Sequence, residues 1–171
     1  QIGNVSLWGP CRLAPMAGVS NIPFRLICKE LGSSLTTSEE ISAKALVHGN
    51  QRTRDLAGYL TEEKPIAMQL FGGEADVLAE AAKILEANGA DIIDLNMGCP
   101  VPKITKTGAG SALMRDEKYA AEVFRKMRAA IKVPLTIKIR GGWDDHTINA
   151  PEIARIAESE GVNAIAVHPR T

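Results

Sequence analysis

The sequence contains few cysteines and no long apolar run. Its three cysteines, Cys11, Cys28 and Cys99, are odd in number and form no CxxC pair. This spacing argues against a disulfide framework and against a zinc site, and it favours a reducing cytoplasm as the location. The first ten residues lack the basic and apolar segments of a signal peptide. No uninterrupted apolar run approaches the ~20 residues of a membrane span, so we expect no membrane partner.

The chain also lacks an excess of charge of either sign. Twenty Lys and Arg residues balance twenty Asp and Glu residues in a chain of 171. The whole-chain charge therefore gives no reason to expect a nucleic-acid partner. The 45% hydrophobic and 23% charged content is that of an ordinary folded protein, and the length predicts one domain.

Short apolar runs alternate with helical patterns along the chain. Few of these runs alternate apolar with polar residues, which is typical of parallel strands buried on both faces. One helix is predicted from Asn21, with an inner stripe of Phe24, Ile27, Cys28 and Leu31, and others begin near Glu74, Asp116 and Pro151. This alternation predicts a parallel α/β sheet. The predicted strands are 12–16, 34–39, 65–72, 91–96, 134–141 and 163–169.

Polar residues end nearly all of these strands. In a closed barrel all strand ends meet at one mouth, whereas an open sheet needs such residues only at its switch point. The pattern therefore favours a (β/α)8 TIM barrel over an open doubly wound sheet. Because that barrel has eight strands in ~250 residues, about six are present and we expect residues 1–171 to be its N-terminal portion. The polar ends are Ser38-Glu39, Gln69, Asn96, Lys138-Arg140 and His168.

Cys99 is the first candidate for chemistry. It lies between Gly98, which permits a sharp turn, and Pro100, which cannot continue a strand ladder. The thiol is therefore expected on a loop at the barrel mouth. Residues 95–114 include Lys103 and Lys106 but no acid, so the surroundings are basic. A reactive thiol and a structural one fit this placement equally well.

The remaining candidates are polar side chains within apolar strands. Lys138, between two isoleucines, is costly to bury unless an anionic group meets it or its stem reaches the rim. The amide of Gln69 needs a partner with both donor and acceptor groups. Together with Asn96 and His168, these side chains are expected to converge on one cavity. The other histidines have no partners at metal-ligand spacing, so we expect no metal site.

Six motifs lie in order along the chain: APMAG (14–18), MQLFG (68–72), DLNMGCPVPK (94–103), GAGSALM (108–114), LTIKIRGGW (135–143) and AVHPRT (166–171). Together they resemble the tRNA-dihydrouridine synthases, and among them the bacterial B type. The resemblance covers essentially the whole chain and implies an FMN-binding TIM barrel followed by a small helical, tRNA-binding domain. The last barrel strands and that domain are then absent from residues 1–171.

The resemblance also implies a reaction. Members of the family use FMN and a reduced nicotinamide, usually NADPH, to reduce particular tRNA uridines to 5,6-dihydrouridine. Hydride goes to C6 of the base, and Cys99 corresponds to the residue that protonates C5. A thiol with an ordinary pKa near ~8.5 keeps its proton at neutral pH and can act as a general acid. The implied FMN contacts are Pro15, Met16, Ala17, Gln69, Lys138 and His168, and the implied substrate contacts are Asn96, Lys103 and Arg140.

The sequence departs from the family where Pro169, and not the more usual glycine, follows His168. In addition, the absent strands supply the FMN phosphate site in the family, so we expect residues 1–171 alone to bind FMN poorly. Two alternatives stay open: an FMN-dependent oxidoreductase of free pyrimidines or dihydroorotate, and a catalytically silent RNA-binding barrel. The modified uridine, the choice between NADPH and NADH, and the oligomeric state are not predicted.

Overall fold

The structure, a computed structural model, describes all residues from Gln1 to Thr171. It contains five strands that pair in chain order, and every neighbouring pair is parallel. This order is that of a barrel wall, because an open doubly wound sheet reverses its order at the switch point. The predicted α/β class is confirmed, and the chain forms part of a TIM barrel. The strands are β1 (Thr36–Ser42), β2 (Ile66–Phe71), β3 (Ile92–Met97), β4 (Leu135–Arg140) and β5 (Ala164–His168).

Helices connect the strands and begin where the sequence predicts caps. The side chain of Asn21 accepts a hydrogen bond from the Phe24 N–H, and that of Asp116 accepts one from the Tyr119 N–H. None of the helices combines the length and hydrophobicity needed to span a membrane. They are α1 (Ile22–Glu30), α2 (Ala43–Val47), α3 (Gln51–Leu56), α4 (Ala75–Ala87), α5 (Pro102–Thr105), α6 (Glu117–Ala130) and α7 (Ala150–Ser159), with 3₁₀ turns at Thr61–Glu63 and Gly110–Arg115.

The two faces of the sheet differ in polarity. Successive side chains of a strand point to opposite faces, so residues two apart share a face. On the outer face Met68, Leu95 and Ile137 pack into one apolar core with α4, α6 and α7. On the inner face the lowest layer is apolar, formed by Leu35, Ala67 and Ile92. Above that layer the inner positions are polar, and this difference places the candidate site.

The predicted strand at 12–16 is not a strand. Arg12 forms a single bridge to Leu35, and the Leu13 N–H donates to the Leu35 carbonyl at 2.9 Å. Pro15 then has no N–H to extend the ladder. The chain turns instead, with the N–H groups of residues 19 and 20 both reaching the Met16 carbonyl. The prediction of about six strands is therefore too high by one for these residues.

The predicted inner stripe of α1 is also wrong in part. Ile27 is 52% exposed and Leu31 is 83% exposed, whereas Arg25 is only 2% exposed. The guanidinium of Arg25 forms an ion pair with the buried carboxylate of Glu63. A buried ion pair thus replaces part of the apolar contact that helical spacing predicted for this helix, because spacing identifies apolar faces and not paired charges.

Candidate active site at the carboxyl ends of the strands

The predicted polar side chains share the inner face of the sheet. Gln69 pairs in register with Asp94, Asn96 with Lys138, and Arg140 with His168, and paired residues point to the same face. The structure therefore brings Gln69, Asn96, Lys138, Arg140 and His168 together at the carboxyl ends of β2 to β5. In a TIM barrel this end carries the active site.

A buried carboxylate anchors the set. Asp94 is fully buried, and its two oxygens accept hydrogen bonds from Thr136 Oγ1 and, at 2.7 Å, from Gln69 Nε2. The guanidinium of Arg12 lies 3.9 Å from the same carboxylate. These donors compensate the cost of burying the charge. Gln69 is fixed by this contact, and its Oε1 accepts a hydrogen bond from Asn96 at 3.0 Å.

Asn96 connects this network to the thiol loop. Its Oδ1 accepts hydrogen bonds from the backbone N–H groups of Gly98 at 3.0 Å and Cys99 at 2.9 Å. Its Nδ2 donates to Gln69 and, at 2.8 Å, to Glu40 Oε2. A carboxamide has two N–H groups and two acceptor lone pairs, so every hydrogen-bonding position of Asn96 is used inside the protein.

The loop that carries Cys99 is held from two further sides. The Cys99 carbonyl accepts hydrogen bonds from the N–H and hydroxyl groups of Ser111, and Arg140 Nε donates to the Gly98 carbonyl at 2.6 Å. Gly110 has φ +62°, and a Cβ there would lie 2.5 Å from the Cys99 carbonyl oxygen. Gly98, which the sequence marked as the turn residue, has no such restriction. The glycine that the loop requires is therefore Gly110.

The electrostatic surroundings favour the protonated thiol. Cys99 is half-buried. Burial raises its pKa, Glu40 raises it further, and a hydrogen bond from the Val101 backbone and the charge of Arg140 partly oppose the rise. A raised pKa keeps more of the thiol protonated at neutral pH. Cys99 is thus better suited to donate a proton than to attack as a thiolate.

Lys138 is the inner-face cation without a partner in the chain. Its ammonium group forms no hydrogen bond and no salt bridge within the chain, and burial lowers its pKa while Asp94 opposes that change. Its register partner on β5 is Ala166, and Ala164 shares the same face. Small side chains leave room beside the ammonium. This arrangement fits a ligand that presents acceptor atoms or negative charge to Lys138.

The segment 15–18 is tied to the end of β1. Ser20 Oγ accepts from the Met16 N–H at 3.0 Å and donates to the Met16 carbonyl, which closes the turn. The Gly18 N–H donates to the carboxylate of Glu39. Pro15 is half-buried, and Met16 and Ala17 are exposed.

Two predicted residues lie at the edge of this set. His168 is exposed at the end of β5. Lys103 is exposed on α5, and it lines a cavity of about 500 Å³ together with Lys44, Phe71 and Ile104. This cavity lies beside the thiol loop, because α5 begins three residues after Cys99. It is large enough for a small ligand. No group of three or more His, Cys, Asp or Glu side chains is arranged to hold a metal ion.

Sequence reasoning missed several residues of the site. Asp94 could have been found, because it lies two positions before Asn96 on the same strand and therefore on the same face. Thr136 has the same relation to Lys138. Glu40 could not have been found in this way, because the pairing of β1 with β2 shifts register between Thr37 and Glu40. Such an irregularity breaks the alternation on which the inference depends.

Comparison with known proteins identifies relatives along the whole chain. The family model described as "Dihydrouridine synthase (Dus)" matches residues 12–171. The chain is 45% identical to the "Probable tRNA-dihydrouridine synthase" of Rickettsia conorii and 46% identical to the "tRNA-dihydrouridine synthase B" of Xanthomonas axonopodis pv. citri. Each alignment covers 100% of this chain and 52% of the relative. The chain thus spans about half the length of the curated relatives it matches.

Solved structures share the fold at low sequence identity. The carboxyl transferase domain of Rhizobium etli pyruvate carboxylase matches with a TM-score of 0.57 and 18% identity, over 91% of this chain and 26% of that one. The T882A form of Rhizobium etli pyruvate carboxylase with acetyl coenzyme A matches with a TM-score of 0.60 and 20% identity, over 91% and 15% of the two chains. At this identity the likeness concerns the fold alone.

Proposed function

The chain belongs to the dihydrouridine synthase family, and from this premise we propose that it carries the proton donor of an enzyme that reduces uridine in tRNA to 5,6-dihydrouridine. The observation that carries the proposal is the half-buried thiol of Cys99, with its raised pKa, held at the carboxyl ends of the barrel strands. The names of the relatives support the choice of tRNA as substrate.

In this proposal Cys99 holds a proton for C5 of the pyrimidine. Saturation of the C5–C6 double bond adds a hydride at C6 and leaves negative charge that a proton at C5 must neutralise. A thiol that stays protonated at neutral pH can supply that proton, and general acid catalysis contributes about 10² to 10⁴-fold to a rate. Hydrogen bonds of Asn96 and Ser111 with the Cys99 backbone hold the loop in place and so fix the position of the thiol.

FMN is the cofactor that the family resemblance implies. The unpaired ammonium of Lys138 beside the small residues of β5 fits the electron-rich edge of such a ring, because a cation there would stabilise added negative charge. We assign FMN binding to Lys138, Gln69, His168 and the backbone of Pro15, Met16 and Ala17. When bound, FMN supplies hydride equivalents drawn from NADPH.

The three predicted substrate residues have different capacities. Lys103 has no ion pair, so it is available for a phosphate of the RNA beside the reduced uridine. Arg140 donates to the carbonyls of Gly98 and Thr171, which leaves one terminal guanidinium nitrogen for substrate. Asn96 has no unused hydrogen-bonding position, so in this proposal it acts on the substrate through Cys99. Residues 1–171 would form the N-terminal portion of the FMN-binding barrel, with the remaining strands and a helical tRNA-binding domain elsewhere in the full-length protein.

The test replaces the thiol in the full-length protein. Cys99→Ala should lower the rate of dihydrouridine formation in unmodified tRNA by about 10² to 10⁴-fold, with FMN content unchanged. Cys11→Ala is the matched control, because that cysteine is exposed and outside the site, and its rate should equal that of the unmodified protein. An unchanged rate in Cys99→Ala would remove the proton-donor role. Reduction of free uracil at a rate equal to that of tRNA would favour an oxidoreductase of free pyrimidines instead.

A further inference from the structure

Glu40 is an acidic side chain of the site whose role the proposed reaction does not yet explain. It lies on β1 in register with Gln69, it is half-buried, and its carboxylate forms no salt bridge. Its one hydrogen bond is from Asn96 Nδ2 to Glu40 Oε2, at 2.8 Å. A half-buried carboxylate without a cation carries a desolvation cost. The hydrogen bond from Asn96 offsets part of that cost, so it indicates the role of Glu40.

The partner of Glu40 is the side chain that holds the thiol loop. Asn96 uses its Oδ1 for the N–H groups of Gly98 and Cys99, and one of its own N–H groups for Gln69. Glu40 accepts the remaining N–H group. A hydrogen bond to a charged acceptor is stronger than one between neutral groups. Glu40 therefore contributes the strong contact that holds the carboxamide in the orientation required by the Cys99 backbone.

We propose that Glu40 is a positioning residue for Cys99. Glu40 acts through the carboxamide of Asn96, and its own negative charge opposes loss of the thiol proton. The catalytic benefit of this role rests on the proposed function, whereas the hydrogen bond between Glu40 and Asn96 is independent of the reaction. Glu40 and Asn96 lie 56 residues apart on different strands. The contact is thus a property of the folded barrel wall.

Charges from several elements act on the thiol. Burial is the main cause of the raised pKa of Cys99, and the Glu40 carboxylate on β1 adds to it. The Arg140 guanidinium on β4 acts in the opposite direction. Burial also raises the pKa of Glu40 itself, so its effect on Cys99 is present only above that pKa. The remaining charged groups of the inner face are Arg12, Asp94 and Lys138.

The first experiment measures the thiol directly in the full-length protein. The rate of Cys99 alkylation by iodoacetamide is followed against pH, with mass spectrometry of the separate peptides to exclude Cys11 and Cys28. Glu40→Gln keeps an acceptor for Asn96 but removes the charge. The pKa of Cys99 should fall, because no carboxylate at position 40 then opposes loss of the thiol proton, and alkylation at neutral pH should become about threefold faster or more.

Two further variants separate charge from position. Glu74→Gln removes an exposed carboxylate at the same end of the barrel, paired with Lys44 and not with Asn96, and its alkylation profile should not change. Glu40→Ala removes the hydrogen bond as well as the charge. Hydrogen exchange of the Gly98 and Cys99 amides should be faster in Glu40→Ala than in Glu40→Gln. Equal alkylation profiles in Glu40→Gln and the unmodified protein would overturn the inference.

The second experiment uses the reaction. In Glu40→Gln the alkaline limb of dihydrouridine formation in tRNA should move to lower pH by the same amount as the alkylation profile. If the unmodified protein forms no dihydrouridine while alkylation shifts as expected, the proposed function fails and the role of Glu40 stands. An alkaline limb that stays in place while alkylation shifts would show that Cys99 is not the proton donor.

Discussion

Two clusters of buried polar side chains differ in the groups that their last members contact. In the flank cluster, Arg25 donates to Glu63 and to the carbonyls of Ser20 and Gly58, and Glu63 also accepts the Leu60 N–H. Both of its charges are paired within the protein. This cluster joins α1 to the chain before β2.

The inner cluster runs from Asp94 through Gln69 to Asn96 and ends at the Cys99 loop. Beside it lies the ammonium of Lys138, which has no partner within the chain. The difference teaches how to distinguish structural from functional polar burial in this protein. A cluster whose donors and acceptors are all paired holds elements together, whereas one that borders an unpaired charge and a half-buried thiol is the candidate for a ligand site.

Breaking the flank cluster should give the largest loss of stability. Arg25→Ala leaves the Glu63 carboxylate buried without its cation, so the free energy of unfolding should fall by about 3–5 kcal/mol. Urea unfolding of the full-length protein measures this change. Lys44→Ala, which breaks an exposed pair with Glu74, is the control and should cost less than about 1 kcal/mol. The alkylation rate of Cys99 in Arg25→Ala should equal that of the unmodified protein under native conditions.

Breaking the inner cluster should have a smaller effect on stability and a larger one on the thiol. Gln69→Leu leaves Asp94 Oδ2 and one Asn96 N–H without their partner, at a cost of about 1–3 kcal/mol in the free energy of unfolding. Because Asn96 then loses part of its support, Cys99 should be alkylated faster. If Arg25→Ala changed the alkylation of Cys99 as much as Gln69→Leu does, the two clusters would not be independent.

Removing the unpaired charge of Lys138 should have the smallest effect on stability, and it should stabilise the protein where the other two substitutions destabilise it. Burial lowers the pKa of Lys138, so its stabilising contribution is present above the unfolded pKa and is lost as the pH falls through the folded pKa. Where Lys138 is protonated in both the folded and the unfolded state, its buried charge is a cost. Lys138→Met should therefore raise the free energy of unfolding of the cofactor-free protein, by less than about 1 kcal/mol because solvent screens the group.

The same variant tests the assignment of the cofactor. Full-length Lys138→Met should retain less FMN after purification than the unmodified protein, measured by absorbance of the bound flavin. Lys132→Met provides the matched control, since that lysine is exposed and follows α6 on the outer side of the sheet. Equal flavin content in Lys138→Met and the control would contradict the role of Lys138 at the cofactor.

The pattern of strands and helices was largely predictable from the sequence, but the predicted strand at 12–16 does not form. Five of the six predicted runs overlap strands of the structure, and each is a short segment that follows a turn or helix end. The run at 12–16 is also short and mostly apolar, yet it pairs only with Leu35 before Pro15 ends the pairing. Composition indicates whether a segment can adopt strand geometry. The number of residues that pair depends on the neighbouring segment that packs beside it.

The candidate site divides in the same way. Gln69, Asn96, Lys138 and His168 were identified because each is a polar residue near the carboxyl end of an apolar strand. Glu40 was missed because an irregularity in β1 removes the alternation that would have placed it on the inner face. Site residues were therefore predictable where strands are regular and unpredictable where they are not.

By itself the sequence determined the alternation of buried strands and capped helices, and the position of Cys99 where β3 has ended, because these depend on residues adjacent in the chain. Only the tertiary structure decided which polar groups meet. Glu40 and Asn96 are 56 residues apart, Arg25 and Glu63 are 38 apart, and Gly110 is required because its loop returns to the Cys99 carbonyl. Hydrogen bonds and close contacts between distant segments depend on the register of the packed strands, and no local pattern records that register.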